Sequence, residues 1–123
     1  MIDHVILNVS KLAASRDFYE RALASLGYKV ILEFPKGVAL GRDKPELGIA
    51  EGKPVHTGVH LAFTSPDRKT VEAFYWGALD GGGRDNGPPG LRPNYHPDYY
   101  GAFVLDPDGN NIEAVCHHPE LGL

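Results

Sequence analysis

The stretch from Tyr99 to Cys116, Y-Y-G-A-F-V-L-D-P-D-G-N-N-I-E-A-V-C, decides the fold. Asp106-Pro107-Asp108-Gly109 reads as a type I turn. Asp106 accepts from the backbone, Pro107 arrives with φ already set, and Gly109 is free to go left-handed and close a three-residue hairpin loop with a bulge. That loop sets the register of the two strands it joins. With Asp106 opposite Asn110, Phe103 falls opposite Glu113. Tyr99, Gly101, Phe103, Glu113 and Val115 then share one face, and Tyr100, Ala102, Val104, Ile112 and Ala114 share the other. Glu113 is the one carboxylate in an otherwise apolar strand, aimed at an interior flanked by aromatics. Such a group is costly to bury unless something cationic meets it.

Working outward, Ile2 to Val9 alternates as a strand, with Val5, Leu7 and Val9 on one face and His4, Ile6 and Asn8 on the other. Ser10 is placed to cap a helix from Lys11 to Leu26 whose buried stripe is Phe18, Tyr19, Ala22, Leu23 and Leu26, with Gly27 as its left-handed stop. Strands follow at Tyr28 to Phe34, Val38 to Gly41 and Leu47 to Ala50, separated by the turns Pro35-Lys36-Gly37 and Asp43-Lys44-Pro45. This is one β-α-β-β-β module, residues 1–51, and a linker over 52–57 ends it. The pattern then restarts as a second module over 58–117. Gly58 to Ser65 alternates as a strand, and Ser65-Pro66-Asp67 supplies a cap, a first-turn proline and an acidic first turn. Val71, Phe74, Tyr75, Ala78 and Leu79 form the apolar face of a helix that Gly81-Gly82-Gly83 stops. Prolines and glycines from Arg84 to Asp98 forbid long regular structure apart from a short strand near Arg84, and a loop of that length in a small domain is usually functional. His117 to Leu123 is a short tail.

The chain has 123 residues, 42 % of them hydrophobic and 23 % charged, which fits one globular domain with one core. A formal charge of −4, with the 12 basic residues scattered, argues against a nucleic-acid partner. No apolar run is long enough to span a bilayer. With a single cysteine, Cys116, and no cleavable leader pattern after Met1, the expected setting is a reducing one, most simply the cytoplasm.

Shifting the sequence against itself by 56 residues aligns His4 with His60, Phe18 with Phe74, Tyr19 with Tyr75, Ala22 with Ala78, Leu23 with Leu79 and Gly27 with Gly83 without a gap. Strand, helix and stop signal recur together, as expected of a duplicated unit. If the halves pair about a pseudo-twofold axis, His4 and His60 project into one shared concavity, and Glu113 on the last strand projects there too. Two imidazoles and one carboxylate around a cavity make a divalent-metal site with open positions, and the ion is the cation that Glu113 requires.

The opening I-D-H-V-I-L-N-V, the second G-V-H-L-A-F, the helix pieces D-F-Y and A-F-Y, and above all F-V-L-D-P-D-G-N-N-I-E resemble the vicinal oxygen chelate superfamily. It includes glyoxalase I, extradiol ring-cleaving dioxygenases, fosfomycin-resistance enzymes and bleomycin-resistance proteins. The resemblance implies an α+β fold of two β-α-β-β-β modules whose curved mixed sheets form a barrel-like cavity with helices outside, often completed in a homodimer. It puts the metal ligands at His4, His60 and Glu113, for an ion such as iron, zinc, nickel or manganese. It also implies a small-molecule substrate chelated through two adjacent oxygens, by glyoxalase-like lyase or isomerase chemistry or by ring-cleaving dioxygenase chemistry. Glyoxalase I carries a fourth ligand on the last strand of the first module. Leu47-Gly48-Ile49-Ala50 offers none here, which favours the three-ligand arrangement. A non-enzymatic, drug-sequestering protein of the bleomycin-resistance kind is the alternative, and such relatives generally lack the metal trio.

Other polar residues are weaker candidates. Tyr99 shares the face of Glu113, where its phenol has a substrate or a proton to act on, and His96 in Asn94-Tyr95-His96-Pro97 hangs over the same cavity. Both are candidate catalytic residues. His56 falls in the linker, and His117 and His118 read as surface. Arg84 and Arg92 read as loop charge, Cys116 as a small buried hydrophobe, and the glycine run as a helix stop.

Overall fold

The computed structural model describes residues 1–120. The first half runs β1 (Val5–Val9), α1 (Leu12–Leu23), β2 (Lys29–Phe34), β3 (Gly37–Gly41) and β4 (Leu47–Glu51). The second runs β5 (His60–Thr64), α2 (Arg68–Asp80), β6 (Arg84–Asp85), β7 (Gly90–Leu91), β8 (Tyr100–Leu105) and β9 (Asn111–Cys116). Each half builds one mixed sheet on the same plan. The order is β1-β4-β3-β2 in the first and β5-β9-β8-β6 in the second, with β7 also pairing β8. In each sheet the first strand lies parallel to the last, and the remaining pairings are antiparallel.

The alternation seen in the sequence becomes sidedness. Leu7 and Val9 are 2 % and 1 % exposed, whereas Ile6, next to Leu7 on the opposite face of the strand, is 57 % exposed. The buried rows of both sheets meet the two helices in one core that includes Phe18, Tyr19 and Leu23 of α1 and Val71, Phe74 and Ala78 of α2. The helices pack directly on each other. A Cβ built on Gly77 of α2 would lie 2.4 Å from the Arg21 carbonyl oxygen, and one on Gly81 would lie 2.9 Å from the Phe18 Cα. Glycine at these positions permits the approach. A buried hydrogen bond of 2.5 Å from the Tyr19 hydroxyl to Asp106 also joins the halves.

The helix ends differ from expectation. Lys11, not Ser10, stands at the N-cap of α1, without a side-chain cap. Ser10 is occupied elsewhere, since its backbone N–H and hydroxyl both donate to Asp108 in the hairpin turn (3.1 and 2.5 Å). The Leu12 N–H is met instead by Glu51 from the end of β4, at 2.8 Å. The helix gives way to a 3-10 turn over Ala24–Leu26 before Gly27, whose φ of 85° makes the left-handed stop the sequence predicts. In α2 the cap is Asp67, which accepts from Thr70 N at 2.7 Å, while Ser65 turns its hydroxyl to the Asp67 carbonyl. The short strand near Arg84 is present as β6, and β7 adds a second within the loop. Part of the tail, 121–123, lies outside the described residues.

Among the described residues the strands pair as two separate sheets, and no barrel closes within the chain. Sheet one keeps an open face on the side away from the helices. A cavity of about 580 Å³ lies there, lined by residues of sheet one and the segments next to its strands, among them His4, Ile6, Leu32, Phe34, Gly48 and Ala50.

Candidate metal centre

The hairpin that joins β8 and β9 places the site. Asp106 N donates to the Asn110 carbonyl at 2.9 Å, Gly109 N donates to the Asp106 carbonyl at 3.0 Å, and Gly109 has φ 84°. The loop is therefore the three-residue form, and Phe103 pairs with Glu113 as the turn chemistry predicts. Asp106 holds the turn together. One of its carboxylate oxygens accepts from the backbone N–H groups of Asp108 and Asn110, and the other from Tyr19 and the Asn110 amide. Asn110 in turn ties the hairpin to β5, accepting from Val59 N at 2.9 Å and donating to the His56 carbonyl at 3.0 Å. D-P-D-G-N is thus a packing unit as well as a turn.

Glu113, on β9 beside Ala62 of the parallel strand β5, is 1 % exposed. One carboxylate oxygen accepts from His60 Nε2 at 2.8 Å, and the other accepts from the Tyr99 hydroxyl. Burial, and then the Glu113 carboxylate, push the Tyr99 phenol well above the ordinary tyrosine range, so it remains a protonated donor. The His60 side chain is 53 % exposed and forms the solvent side of the pair. The Phe103 ring lies 6.1 Å from the His60 ring. The loop between β6 and β8 covers this floor. Asn86 N donates to the Phe103 carbonyl, Phe103 N donates to the Gly87 carbonyl, and the Arg92 guanidinium sits 5.3 Å above the Phe103 ring.

His96 does lie over this face, packed edge-on against Tyr99 with ring centroids 5.4 Å apart. Its Nδ1 accepts from Asp98 N, so its Nε2 is the protonated nitrogen and donates to His117 Nδ1 at 2.8 Å. This pairing was not legible in the sequence. His117 follows β9 directly and is exposed, but it stacks on His96 and packs edge-on against Tyr99. Only the fold of the 92–99 loop brings the two histidines together. His56 has a structural task, accepting from Asn8 N at 2.8 Å.

His4 stands apart from this group within the chain. It precedes β1, makes a 2.7 Å contact with Asp3, and lines the open cavity of sheet one. Among the described residues of one chain, no three His, Cys, Asp or Glu side chains gather closely enough to hold a metal ion. The register explains what sheet one lacks. Ile6 pairs with Gly48 just as Ala62 pairs with Glu113, so the position matching Glu113 is a glycine. The first half offers one histidine, and the second offers a histidine with a carboxylate.

A family model described as the glyoxalase/bleomycin resistance protein/dioxygenase superfamily matches residues 1–114. Among solved structures, a glyoxalase/bleomycin resistance protein from Albidiferax ferrireducens T118 is 28 % identical with a TM-score of 0.81, covering 94 % of this chain and 98 % of that one. A glyoxalase/bleomycin resistance protein/dioxygenase family enzyme from Burkholderia phytofirmans PsJN is 18 % identical, with a TM-score of 0.74 and coverage of 94 % and 98 %. A lactoylglutathione lyase from Agrobacterium tumefaciens is 19 % identical, with a TM-score of 0.69 and coverage of 94 % and 92 %. The last two show the fold alone. No curated protein sequence matches the chain.

Proposed function

Since the chain belongs to the glyoxalase/bleomycin resistance protein/dioxygenase superfamily, we propose that it is a metal-dependent enzyme whose small-molecule substrate presents two adjacent oxygens to a divalent ion. In this reading His60 and Glu113 of one copy and His4 of a second copy hold the ion in a homodimer. The observation that carries it is Glu113, a carboxylate 1 % exposed whose side-chain partners are His60 and Tyr99 and which, among the described residues, forms no ion pair with an arginine or lysine. An imidazole and a carboxylate that share one hydrogen form the N,O pair a divalent ion accepts in place of that hydrogen. The ion, once bound, supplies Lewis-acid stabilisation of the oxyanion that develops on the substrate.

The chain's own residues do the rest. Tyr99 fixes the second oxygen of Glu113 and holds a proton beside the site, available to a substrate oxygen or carbon. Phe103 and the loop above it exclude water from one side, and the apolar face of sheet one in the second copy does so from the other. Lyase or isomerase chemistry and ring-cleaving oxygenation both suit this frame.

The test is elemental analysis of freshly purified protein together with His60→Ala and Glu113→Ala. The expected result is one divalent ion per chain in the wild type and a loss of at least tenfold in retention in each variant, about 1.4 kcal/mol or more. Full metal occupancy in both variants would overturn the assignment. The roomy, apolar face of sheet one also favours a second reading, a ligand-sequestering protein of the bleomycin-resistance kind. Protein that purifies and refolds without metal yet binds apolar ligands would support that one.

A further inference from the structure

Resting on the reading that the face around Glu113 receives the substrate, we propose that Arg92 is a specificity residue that binds an anionic substituent of that substrate, lying beyond the pair of oxygens that meets the ion. Arg92 differs from the four arginines seen in ion pairs. Arg16, Arg21, Arg42 and Arg68 each face a carboxylate within 4.0 Å. Arg92 as a residue is half-buried, and among the described residues its guanidinium is held by neutral groups alone. It donates to the Pro88 carbonyl at 2.7 Å, reaches the Leu91 carbonyl at 3.5 Å, and rests over the Phe103 ring.

The seat is shaped for it. Cβ atoms built on Gly87 and Gly90 would come within 3.2 and 3.1 Å of the guanidinium nitrogens, and Gly87 has φ 144°, a backbone that other residues rarely adopt. Main-chain bonds from Arg92 N to the Tyr99 carbonyl (2.7 Å) and from Tyr95 N to the Arg92 carbonyl (2.9 Å) fix the residue from behind. With two N–H groups taken by carbonyls, the planar fork keeps the remaining donors of its five for a ligand. The ring beneath it is cross-strand from Glu113 and 6.1 Å from His60. A carboxylate, sulfonate or phosphoryl group here would bind by charge-assisted hydrogen bonds, with its apolar body on Phe103.

The test compares benzenesulfonate with methyl phenyl sulfone. The two are close in shape, differ in charge, and carry no pair of oxygens that chelates a metal well. Calorimetric titration of the wild type should show the anion bound at least about tenfold more tightly. Arg92→Met should bring the two affinities together, and Arg92→Lys, which keeps the charge without the fork, should fall between. Circular dichroism establishes that each variant folds, and Arg92→Lys carries the test if Arg92→Met does not. Equal affinities in the wild type, or a preference that both variants leave unchanged, would overturn the proposal. Metal content measured on the same samples separates the two readings. Anion preference without metal leaves Arg92 standing and removes the metal assignment, whereas metal without Arg92-dependent preference does the reverse.

Discussion

Tyr99 and Tyr100 are neighbours with opposite duties. Tyr99 donates to the buried Glu113, whereas the Tyr100 hydroxyl donates to Glu72 on the exposed side of α2 at 2.7 Å. Tyr99→Phe leaves a carboxylate oxygen of Glu113 without a partner. It should weaken metal or ligand binding by about 0.5 to 1.5 kcal/mol, read by titration, while Tyr100→Phe leaves binding unaltered and changes stability slightly. The reverse pattern would mean that the residue facing the site is Tyr100. The phenols also set a limit at alkaline pH. Burial first, and then Glu46 and Glu72 respectively, push Tyr28 and Tyr100 up to about 12 from 10.0. A pKa raised on folding contributes stability that is whole below about pH 10 and is lost as pH rises through the folded value. The melting temperature should therefore hold to about pH 10 and then fall, while absorbance at about 295 nm shows Tyr28 and Tyr100 ionising late. Titration of every phenol near pH 10 in folded protein would contradict this.

At the scale of elements, the contact between α1 and α2 depends on missing side chains. Alanine at position 77 would gain about 1 kcal/mol of helix propensity, but its Cβ would stand 2.4 Å from the Arg21 carbonyl oxygen, so the helices must separate. Overpacking of this kind costs about 1 to 3 kcal/mol, which exceeds the propensity gain. Gly77→Ala should thus lower stability in urea unfolding, where a propensity argument alone expects it to rise. The hairpin and the helix stops were legible beforehand because proline, glycine and aspartate act on the residues beside them. The cap of α1 is not legible locally because the side chain of Ser10 has a better partner far along the chain, whereas at α2 Ser65 bonds the nearby Asp67 carbonyl and leaves the cap to Asp67. Ser10 is taken by Asp108, and Glu51 from β4 serves the N-terminus of α1.

For the whole molecule, the open face of sheet one needs a cover. Ile6, Leu32 and Phe34 are 57 %, 45 % and 57 % exposed around one cavity, an apolar surface of the sort that marks a binding face. In the proposed dimer the second half of a partner copy covers it and brings His60 and Glu113 to His4, and twofold symmetry then makes two equal sites. Mixing distinguishes this from a site closed within the chain. His4→Ala and Glu113→Gln should each lose metal alone, yet after joint refolding the heterodimers carry one intact site each, restoring about a quarter of wild-type occupancy. No recovery, or a monomer that resists dilution in sedimentation, would exclude the shared site.

Residues 99–116 and the 56-residue repeat by themselves determined the two-sheet plan, the sidedness of each strand and the pairing of Phe103 with Glu113. They could do so because turn geometry and strand alternation act over a few residues. Tertiary structure alone decided that Glu113 is held by His60 and Tyr99 together, that His96 meets His117, and that Arg92 rests on Phe103 with no carboxylate partner among the described residues. It also decided that His4, equivalent to His60 in the repeat, precedes a strand of the other sheet and, among the described residues, does not gather with His60 and Glu113 of its own chain. A repeat specifies two like sheets. Which faces of those sheets meet is a matter of packing, here the close approach of two helices at Gly77 and Gly81, and no local pattern encodes that.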